Sequence, residues 1–207
     1  MTDARNPNVS ARKTPKQARA NALIAAVLDA AVQVLRSEGA ARFTTARVAE
    51  RAGVSVGSLY QYFPNKASIL FRLQADEWRR TTDLMRGILE EAAAPPDRVR
   101  RLVQAFLRSE CEEAQIRIAL GDAAPLYRDA PEADEAREAG SRVILAFIDE
   151  LLPQVDRARR GLIASLIEET LTQVGSSFSE TERTSAEIDA YADAMTDMFN
   201  AFLATHA

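Results

Sequence analysis

Residues 43–70 read FTTARVAERAGVSVGSLYQYFPNKASIL and contain two short helix patterns on either side of a glycine. The first helix is predicted over Thr44–Ala52, because the two threonine hydroxyls at its start suit an N-cap. Gly53 gives the backbone the freedom that a tight turn needs. Ser55 is the N-cap of a second helix, predicted over Val56–Tyr62. Two short helices joined by such a turn predict a helix-turn-helix.

The two faces of the second short helix differ in chemistry. Leu59 and Phe63 are expected to pack inward with Val48, Ala49 and Val54. The outer face carries the small or polar residues Val56, Gly57, Ser58, Tyr60, Gln61 and Tyr62. A helix with few core residues and such an outer face is typical of one that lies in the major groove of DNA.

This segment resembles the signature of the tetracycline-repressor (TetR) family of bacterial regulators. The matching features are Phe43-Thr44-Thr45, Val48-Ala49, Ala52-Gly53-Val54-Ser55, Gly57-Ser58-Leu59-Tyr60, Tyr62-Phe63, Lys66 and Leu70. A basic N-terminal arm, a first helix ending in Glu38-Gly39 and a helical tail of about 130 residues are also similar to the family. The motif covers roughly the first third of the chain, and the rest matches in length and helical pattern alone.

The resemblance implies which residues contact DNA. Phosphate contacts are implied for Thr44, Thr45, Tyr60, Tyr62 and Lys66, the threonines lying where a helix N-terminus already favours an anion. Base edges would face Val56, Gly57, Ser58 and Gln61, with Gln61 suited to adenine and Val56 to a thymine methyl group. The arm residues Lys13, Lys16 and Arg19 would add salt-dependent attraction. Half-buried packing roles for Tyr60 and Tyr62, and a role for Gln61 other than base reading, are the alternatives.

Two positions depart from the family pattern. Ala46 stands where some relatives place a long polar residue that reads bases, and Val56 stands where others place lysine. Both changes reduce hydrogen bonding to base edges. Specificity is therefore expected to rest partly on apolar contacts and on DNA shape.

The charge of the chain is divided between its two ends. Residues 1–80 hold 13 Lys and Arg against 6 Asp and Glu, whereas residues 81–207 hold 13 against 24, giving net charges of +7 and −11. A basic end suggests a polyanionic partner, although a solvated arm without function gives the same pattern. We predict a basic arm (1–15), a helix-turn-helix domain (16–65) and a helical ligand-binding and dimerisation domain (66–207).

The whole chain is predicted to be all-α, with about nine helices. Only 8 Gly and 8 Pro are present, and Ala, Leu, Arg and Glu favour helices over strands. Besides the two short helices, helical elements are expected at Lys16–Ser37, Lys66–Ala92, Asp97–Leu120, Asp122–Tyr127, Glu132–Leu152, Asp156–Phe178 and Thr184–Thr205. The last begins with a capping box, Thr184-Ser185-Ala186-Glu187.

The last two helices carry wide apolar rows that suit a partner helix. Two copies would form a four-helix bundle across a two-fold axis, as TetR-like proteins do. Two recognition helices would then read inverted half-sites about one turn apart. The predicted interface residues are Leu166, Leu171, Val174, Phe178, Tyr191, Met195, Phe199 and Phe202. Packing of these faces within one monomer is the alternative.

The resemblance also implies a small-molecule cavity enclosed by the middle helices. Candidate lining residues are Trp78, Met85, Phe106, Tyr127 and Phe147, which are bulky enough to line an apolar pocket and are equally suited to an ordinary core. The polar residues Arg108, Glu110 and Arg117 would select the ligand or be solvated. A hydrophobic effector is expected, and it would favour a state in which the two DNA-reading helices lose the groove spacing.

Other classes of protein find little support. Cys111 is the only cysteine, which favours a reducing cytoplasm, and no apolar stretch of about 18 residues predicts a membrane span. The single histidine, His206, lies next to the C-terminus. Motifs for a catalytic triad, a zinc cluster or a phosphate loop are absent, so no enzyme activity, metal or cofactor is predicted.

The sequence therefore predicts a sequence-specific DNA-binding transcriptional regulator. We expect a cytoplasmic repressor that binds an inverted-repeat operator on double-stranded DNA as a homodimer and is released by a small molecule. The alternatives are a helical protein that acts through protein contacts, a helical binding protein or enzyme, and an activator with the same DNA-binding domain.

Overall fold

The computed structural model describes residues 15–127 and 131–206, and every regular element among them is helical. The α-helices of this part of the chain are α1 (Pro15–Glu38), α2 (Thr45–Ala52), α3 (Val56–Tyr60), α4 (Lys66–Leu89), α5 (Pro95–Glu112), α6 (Ala114–Ala123), α7 (Pro131–Leu151), α8 (Arg157–Phe178) and α9 (Ser185–Ala204). Two 3₁₀ turns lie at Ala40–Arg42 and Ala124–Leu126. The predicted all-α fold is confirmed.

The chain divides into two compact units, with the boundary between Ile69 and Leu70. We refer to residues 15–69 as the first unit and to residues 70–206 as the second. The predicted domain boundary lies four residues earlier, where α4 begins.

The first unit is built on α1, which packs against α2, while α2 packs against α3. Its core includes the fully buried side chains of Leu35, Phe43 and Leu59. Val48 and Ala49 are also buried, as expected for the inner face of α2. The two short helices are therefore held by apolar contacts that leave their outer faces in solvent.

One segment of α1, Gln17–Glu38, is long and apolar enough to cross a membrane when judged by length and composition alone. The structure gives its apolar residues another role, since Val27, Ala31 and Val34 are buried in the first unit. A core helix that packs against α2 meets the same length and composition criteria.

The second unit is a bundle in which α5 packs against α8 and α9, and α7 packs against α8. One apolar cluster joins these helices and includes Phe106, Ile144, Ile163 and Phe199. The predicted capping box at the start of α9 is confirmed. The Thr184 backbone N–H donates to Glu187 at 2.8 Å, and the Glu187 backbone N–H donates to Thr184 Oγ1 at 3.3 Å.

The structure corrects one helix of the second unit. The single helix predicted over Asp97–Leu120 is broken at Glu113, whose φ of −104° and ψ of 8° lie outside the helical region. The Ser109 carbonyl accepts from the Glu113 backbone N–H at 3.0 Å and also from the guanidinium of Arg117 at 3.1 Å. Neither glycine nor proline marks this position, and a sequence pattern therefore gives no sign of it.

Candidate nucleic-acid interface and ligand cavity

The turn between α2 and α3 is fixed by local capping. Gly53 adopts a left-handed conformation (φ 67°, ψ 28°) that ends α2. Thr44 Oγ1 accepts from the Arg47 backbone N–H at 3.3 Å at the start of α2. Ser55 Oγ accepts from the Ser58 backbone N–H at 3.0 Å at the start of α3. Because each cap is encoded by an adjacent residue, the sequence specifies the angle between the two helices.

The outer face of α3 is open to solvent. Tyr60 is 49% exposed, Tyr62 38% and Val56 39%, whereas Leu59 is fully buried. The two tyrosines are therefore surface residues and not part of the core. Of the other residues predicted to face bases, Gly57 and Gln61 are exposed and Ser58 is half-buried.

A hydrogen bond joins α2 to α3 on this surface. Thr45 Oγ1 and the Tyr60 hydroxyl lie 3.1 Å apart. The structure thus brings together two residues that were both predicted to contact phosphate. Each hydroxyl has one O–H donor and their mutual hydrogen bond uses one of them, so the pair presents one free donor to an anion.

Lys66 occupies the first position of α4 and is exposed. The preceding Asn65 caps the helix, since its Oδ1 accepts from the Ser68 backbone N–H at 2.9 Å. Arg19 is exposed on α1. Lys13 and the side chain of Lys16 lie outside the described residues.

Two further cations on α2 were not among the predicted DNA contacts. Arg47 forms an ion pair with Glu38 of α1, and Arg51 donates to Gln33 of α1 at 3.4 Å. These contacts give both arginines a structural role in holding α2 on α1.

The second unit contains a cavity of about 420 Å³ that is partly open to solvent. Its walls combine apolar groups with several polar and charged ones. The lining residues are Gln74, Glu77, Trp78, Thr81, Thr82, Met85, Phe106, Glu110, Arg117, Gly121, Gly140, Ile144, Glu168, Leu171, Thr172 and Ser176. This volume is within the usual range for a small-molecule site.

The structure places some of the predicted ligand-binding residues at the cavity and others away from it. Trp78, Met85 and Phe106 line the cavity, and so do the polar residues Glu110 and Arg117. Tyr127 and Phe147 do not line it, and Arg108 is exposed and pairs with Asp189 at 3.0 Å.

Tyr127 and Phe147 have packing roles instead. The Tyr127 hydroxyl donates to the Leu120 carbonyl at 3.0 Å and lies 3.3 Å from Gln74 Oε1. Burial, with a smaller contribution from the charge of Glu77, raises the pKa of Tyr127 to about 12. Phe147 is buried beneath the Arg98 guanidinium, which lies 4.9 Å from the centre of its ring.

A polar network on α4 borders the cavity, and sequence reasoning missed it. Gln74 Nε2 donates to Glu77 at 2.9 Å, and the Thr81 hydroxyl donates to the other carboxylate oxygen at 3.3 Å. Burial raises the pKa of Glu77, while Arg117 opposes that effect. Spacings of three and four residues, which place these side chains on one helix face, were the available signal.

The charged residues across the cavity form a buried pair. Arg117 makes an ion pair with Glu110, whose side chain is only 8% exposed. Burial lowers the pKa of Arg117, and the charge of Glu77 opposes this shift. Arg117 therefore already has a carboxylate partner and a second carboxylate nearby.

The predicted interface residues of α8 and α9 fall into two groups. Leu171, Phe178, Met195 and Phe199 are buried in the core of the second unit, so they are not available to a partner chain. Val174 and Phe202 are partly buried against the same cluster.

The remaining apolar residues of these helices face solvent. Leu166 is 47% exposed and Tyr191 40%, and two residues absent from the predicted interface, Leu162 and Met198, are 52% and 49% exposed. We refer to Leu162, Leu166, Tyr191 and Met198 as the exposed apolar face. The apolar rows were recognised from sequence, but which half of each row is buried depends on packing against other helices.

Two family profiles match this chain. Residues 27–73 match one described as bacterial regulatory proteins of the TetR family. Residues 94–206, more than half of the chain, match one described as the C-terminal domain of tetracycline repressor-like proteins. The chain belongs to the TetR family. This assignment confirms the predicted family and the predicted class of function, a DNA-binding bacterial regulator.

Individual TetR-family relatives are more distant. A solved transcriptional regulator from Mesorhizobium loti superimposes with a TM-score of 0.71 at 18% identity, over 89% of this chain and 98% of that one. FadR from Bacillus subtilis in complex with stearoyl-CoA gives 0.68 at 16% identity, over 84% and 96%. At these identities the likeness concerns the fold alone.

A curated relative shares more identity over a shorter stretch. The nucleoid occlusion factor SlmA of Vibrio atlanticus is 35% identical over 82 residues, which are 39% of this chain and 42% of that protein. The match therefore spans less than half the length of either chain.

Proposed function

We propose that this TetR-family protein is a transcriptional repressor that binds an inverted-repeat operator as a homodimer and leaves it when a small molecule occupies the cavity of the second unit. The observation that carries the proposal is the α2–α3 pair, with its fixed turn and solvent-exposed outer face. We further propose that the protein acts in the cytoplasm and has no enzymatic role.

The DNA-binding part of the proposal rests on how the exposed residues are distributed. Thr45 and Tyr60 share a hydrogen bond, and Lys66 is exposed at a helix N-terminus. Hydroxyl groups, a lysine and a helix N-terminus are the groups that bind phosphate oxygens. Gln61 is exposed on α3 and carries an amide that suits adenine.

The homodimer rests on the exposed apolar face of α8 and α9. Four large apolar side chains, each 40% to 52% exposed, lie on α8 and α9, which follow one another in the sequence. Leu162 and Leu166 lie one turn apart on α8, and exposed apolar residues repeated along a helix are typical of a protein–protein contact. An isologous two-fold contact would duplicate the recognition helix, as an inverted repeat requires.

The effector part rests on the cavity and on α4. The same helix that begins at Lys66 supplies Gln74, Glu77, Trp78 and Met85 to the cavity wall. A ligand that binds one arrangement of α4 better than another shifts the population toward that arrangement. FadR from Bacillus subtilis, a fold relative, was solved with stearoyl-CoA, which supports a small-molecule effector for this chain.

An electrophoretic mobility shift with the DNA upstream of the protein's own gene tests the proposal. We expect an inverted repeat to bind better than scrambled DNA, and affinity to fall steeply with salt. Lys66→Ala should weaken binding to all sequences and reduce the salt slope by about one per protomer. Gln61→Ala should change preference at one base position per half-site, by about 1–3 kcal/mol.

Arg142→Ala is a matched control for the lysine variant, because Arg142 is an exposed cation of the second unit that pairs with Glu138. It should leave DNA affinity and salt slope unchanged. The repressor proposal fails if no inverted repeat binds better than random DNA at moderate salt. A uniform loss of affinity in Gln61→Ala would exclude its role as a base reader.

A further inference from the structure

The cavity of the second unit has an imbalance of charge. Three glutamates line it, Glu77, Glu110 and Glu168, together with a single arginine, Arg117. Arg117 already forms an ion pair with Glu110. The other two carboxylates have no lysine or arginine within ion-pair distance among the described residues.

Glu77 is the more deeply buried of these two carboxylates. It is 6% exposed, and its hydrogen-bond partners are the Gln74 amide and the Thr81 hydroxyl. Both hydrogen-bond partners are neutral, so burial raises the pKa of this group, although the charges of Arg117 and Arg80 at longer range oppose that effect. A positive charge placed beside it would remove that penalty, because an opposite charge favours the ionised form.

Glu168 also has no ion-pair partner among the described residues. It is half-buried and accepts a hydrogen bond from the Ser141 hydroxyl at 2.8 Å. Two carboxylates on different helices, neither of them in an ion pair within the described part of the chain, therefore border one cavity.

The rest of the wall suits the apolar part of a ligand. Trp78 and Phe106 contribute aromatic rings, and Met85, Ile144 and Leu171 contribute aliphatic surface. Aromatic faces attract cations as well as apolar groups, and the indole ring does so most strongly.

An anionic head group finds no comparable site in this cavity. In the Arg117 guanidinium, Nη1 is ion-paired with Glu110, Nη2 donates to the Ser109 carbonyl, and Nε is buried without a hydrogen-bond partner. A carboxylate ligand would have to displace Glu110 from Arg117 and leave that glutamate buried without a partner. Breaking a buried pair in this way is strongly unfavourable.

We propose that the effector of this protein is an organic cation with an apolar body, either a protonated amine or a quaternary ammonium compound. Its charged nitrogen lies beside Glu77, and its apolar part lies against Trp78 and Phe106. The inference rests on the proposed function, since it names the ligand class for the cavity assigned there.

Isothermal titration calorimetry of the full chain with three amphiphiles of equal tail length tests the ligand class. The probes are n-octyltrimethylammonium, 1-octanol and octanoate, each below its micelle concentration. We expect the cation to bind most tightly. Glu77→Gln, which keeps the shape and one acceptor oxygen but removes the negative charge, should weaken the cation about tenfold or more and leave octanol binding unchanged.

Glu91→Gln is the matched control. Glu91 is exposed, pairs with Arg101 and does not line the cavity, so the same loss of charge should leave cation binding unchanged. The proposal is overturned if octanoate binds as tightly as the cation, if Glu77→Gln weakens all three probes equally, or if none of them binds. An electrophoretic mobility shift on the same preparations, run without any amphiphile, measures operator binding separately. It distinguishes failure of the proposed ligand class from failure of the proposed DNA binding.

Discussion

Substitution of Gly175 by alanine would test how closely α5 and α8 approach beside the cavity. A Cβ atom at this position would lie 2.8 Å from Phe106 Cε1 and 3.1 Å from Glu110 Cγ. Favourable contacts between carbon atoms lie at about 3.5–4.0 Å. The Phe106 ring would therefore have to move by roughly 0.7 Å, and both displaced side chains line the cavity.

The expected change in stability is the sum of two opposing effects. Replacing glycine by alanine inside a helix favours folding by about 1 kcal/mol. Forcing an extra methyl group into a packed site costs about 1–3 kcal/mol. The net loss is about 0–2 kcal/mol, which for a chain of this length lowers Tm by up to about 8 °C.

Gly87→Ala is the matched control for this substitution. Gly87 lies in α4, and no atom comes within 4 Å of its added Cβ. Only the favourable effect on helix stability remains, so the Tm of the Gly87→Ala protein should stay the same or rise by up to about 4 °C. Both variants are measured by calorimetric thermal unfolding of the full chain. If Gly175→Ala stabilises the protein as much as Gly87→Ala does, the close approach of α8 to Phe106 is refuted.

Three further predictions concern the dimer, the buried carboxylate and the turn. Leu166→Glu should convert the dimer to a monomer in light scattering, whereas Ile118→Glu, at a residue 52% exposed on α6, should not; equal behaviour of the two variants would exclude the proposed interface. Burial raises the pKa of Glu77 above the ordinary value of 4.5. Because the folded state holds this proton more tightly than the unfolded state, the protein loses stability as the pH rises from about 4.5 through the raised pKa. The Tm of Glu77→Gln minus that of the wild type should therefore increase with pH over this window, and a pH-independent difference would contradict the cause assigned to the shift. Gly53→Ala meets no atom within 4 Å, so its cost is the left-handed backbone alone, about 1–2 kcal/mol, and an unchanged Tm would show that α2 ends in another conformation.

The helix-turn-helix could be predicted residue by residue because its determinants are local. Thr44, Gly53 and Ser55 each fix the backbone within three or four residues of themselves, and a sequence shows such neighbours directly. The break at Glu113 has no local determinant. Arg117, four residues later, adds a second hydrogen bond to the Ser109 carbonyl, and an arginine in a helical pattern does not indicate that contact.

The interface and the cavity were only partly predictable for a different reason. Leu166 and Leu171 have the same side chain and the same helix, yet one is 47% exposed and the other 1%. Their difference arises from the helices packed against α8, which a single amphipathic pattern does not contain. Glu77 illustrates the converse case, because a glutamate on a helix is ordinarily solvated and its burial depends on residues distant in sequence.

The chemistry of α3 explains why the dimer matters for specificity. Of the residues proposed to face bases, Val56 and Gly57 offer no side-chain hydrogen bond to a base edge, which leaves Ser58 and Gln61 for the direct readout of each proposed half-site. Phosphate contacts give affinity without discrimination. Specific binding therefore requires both half-sites at once, because two modest base preferences add when the two DNA-binding domains are joined in one dimer. An effector that changes only the separation of the two DNA-binding domains would prevent one of them from reaching its half-site. It would thereby abolish operator recognition while leaving the phosphate-binding residues of each domain unaltered.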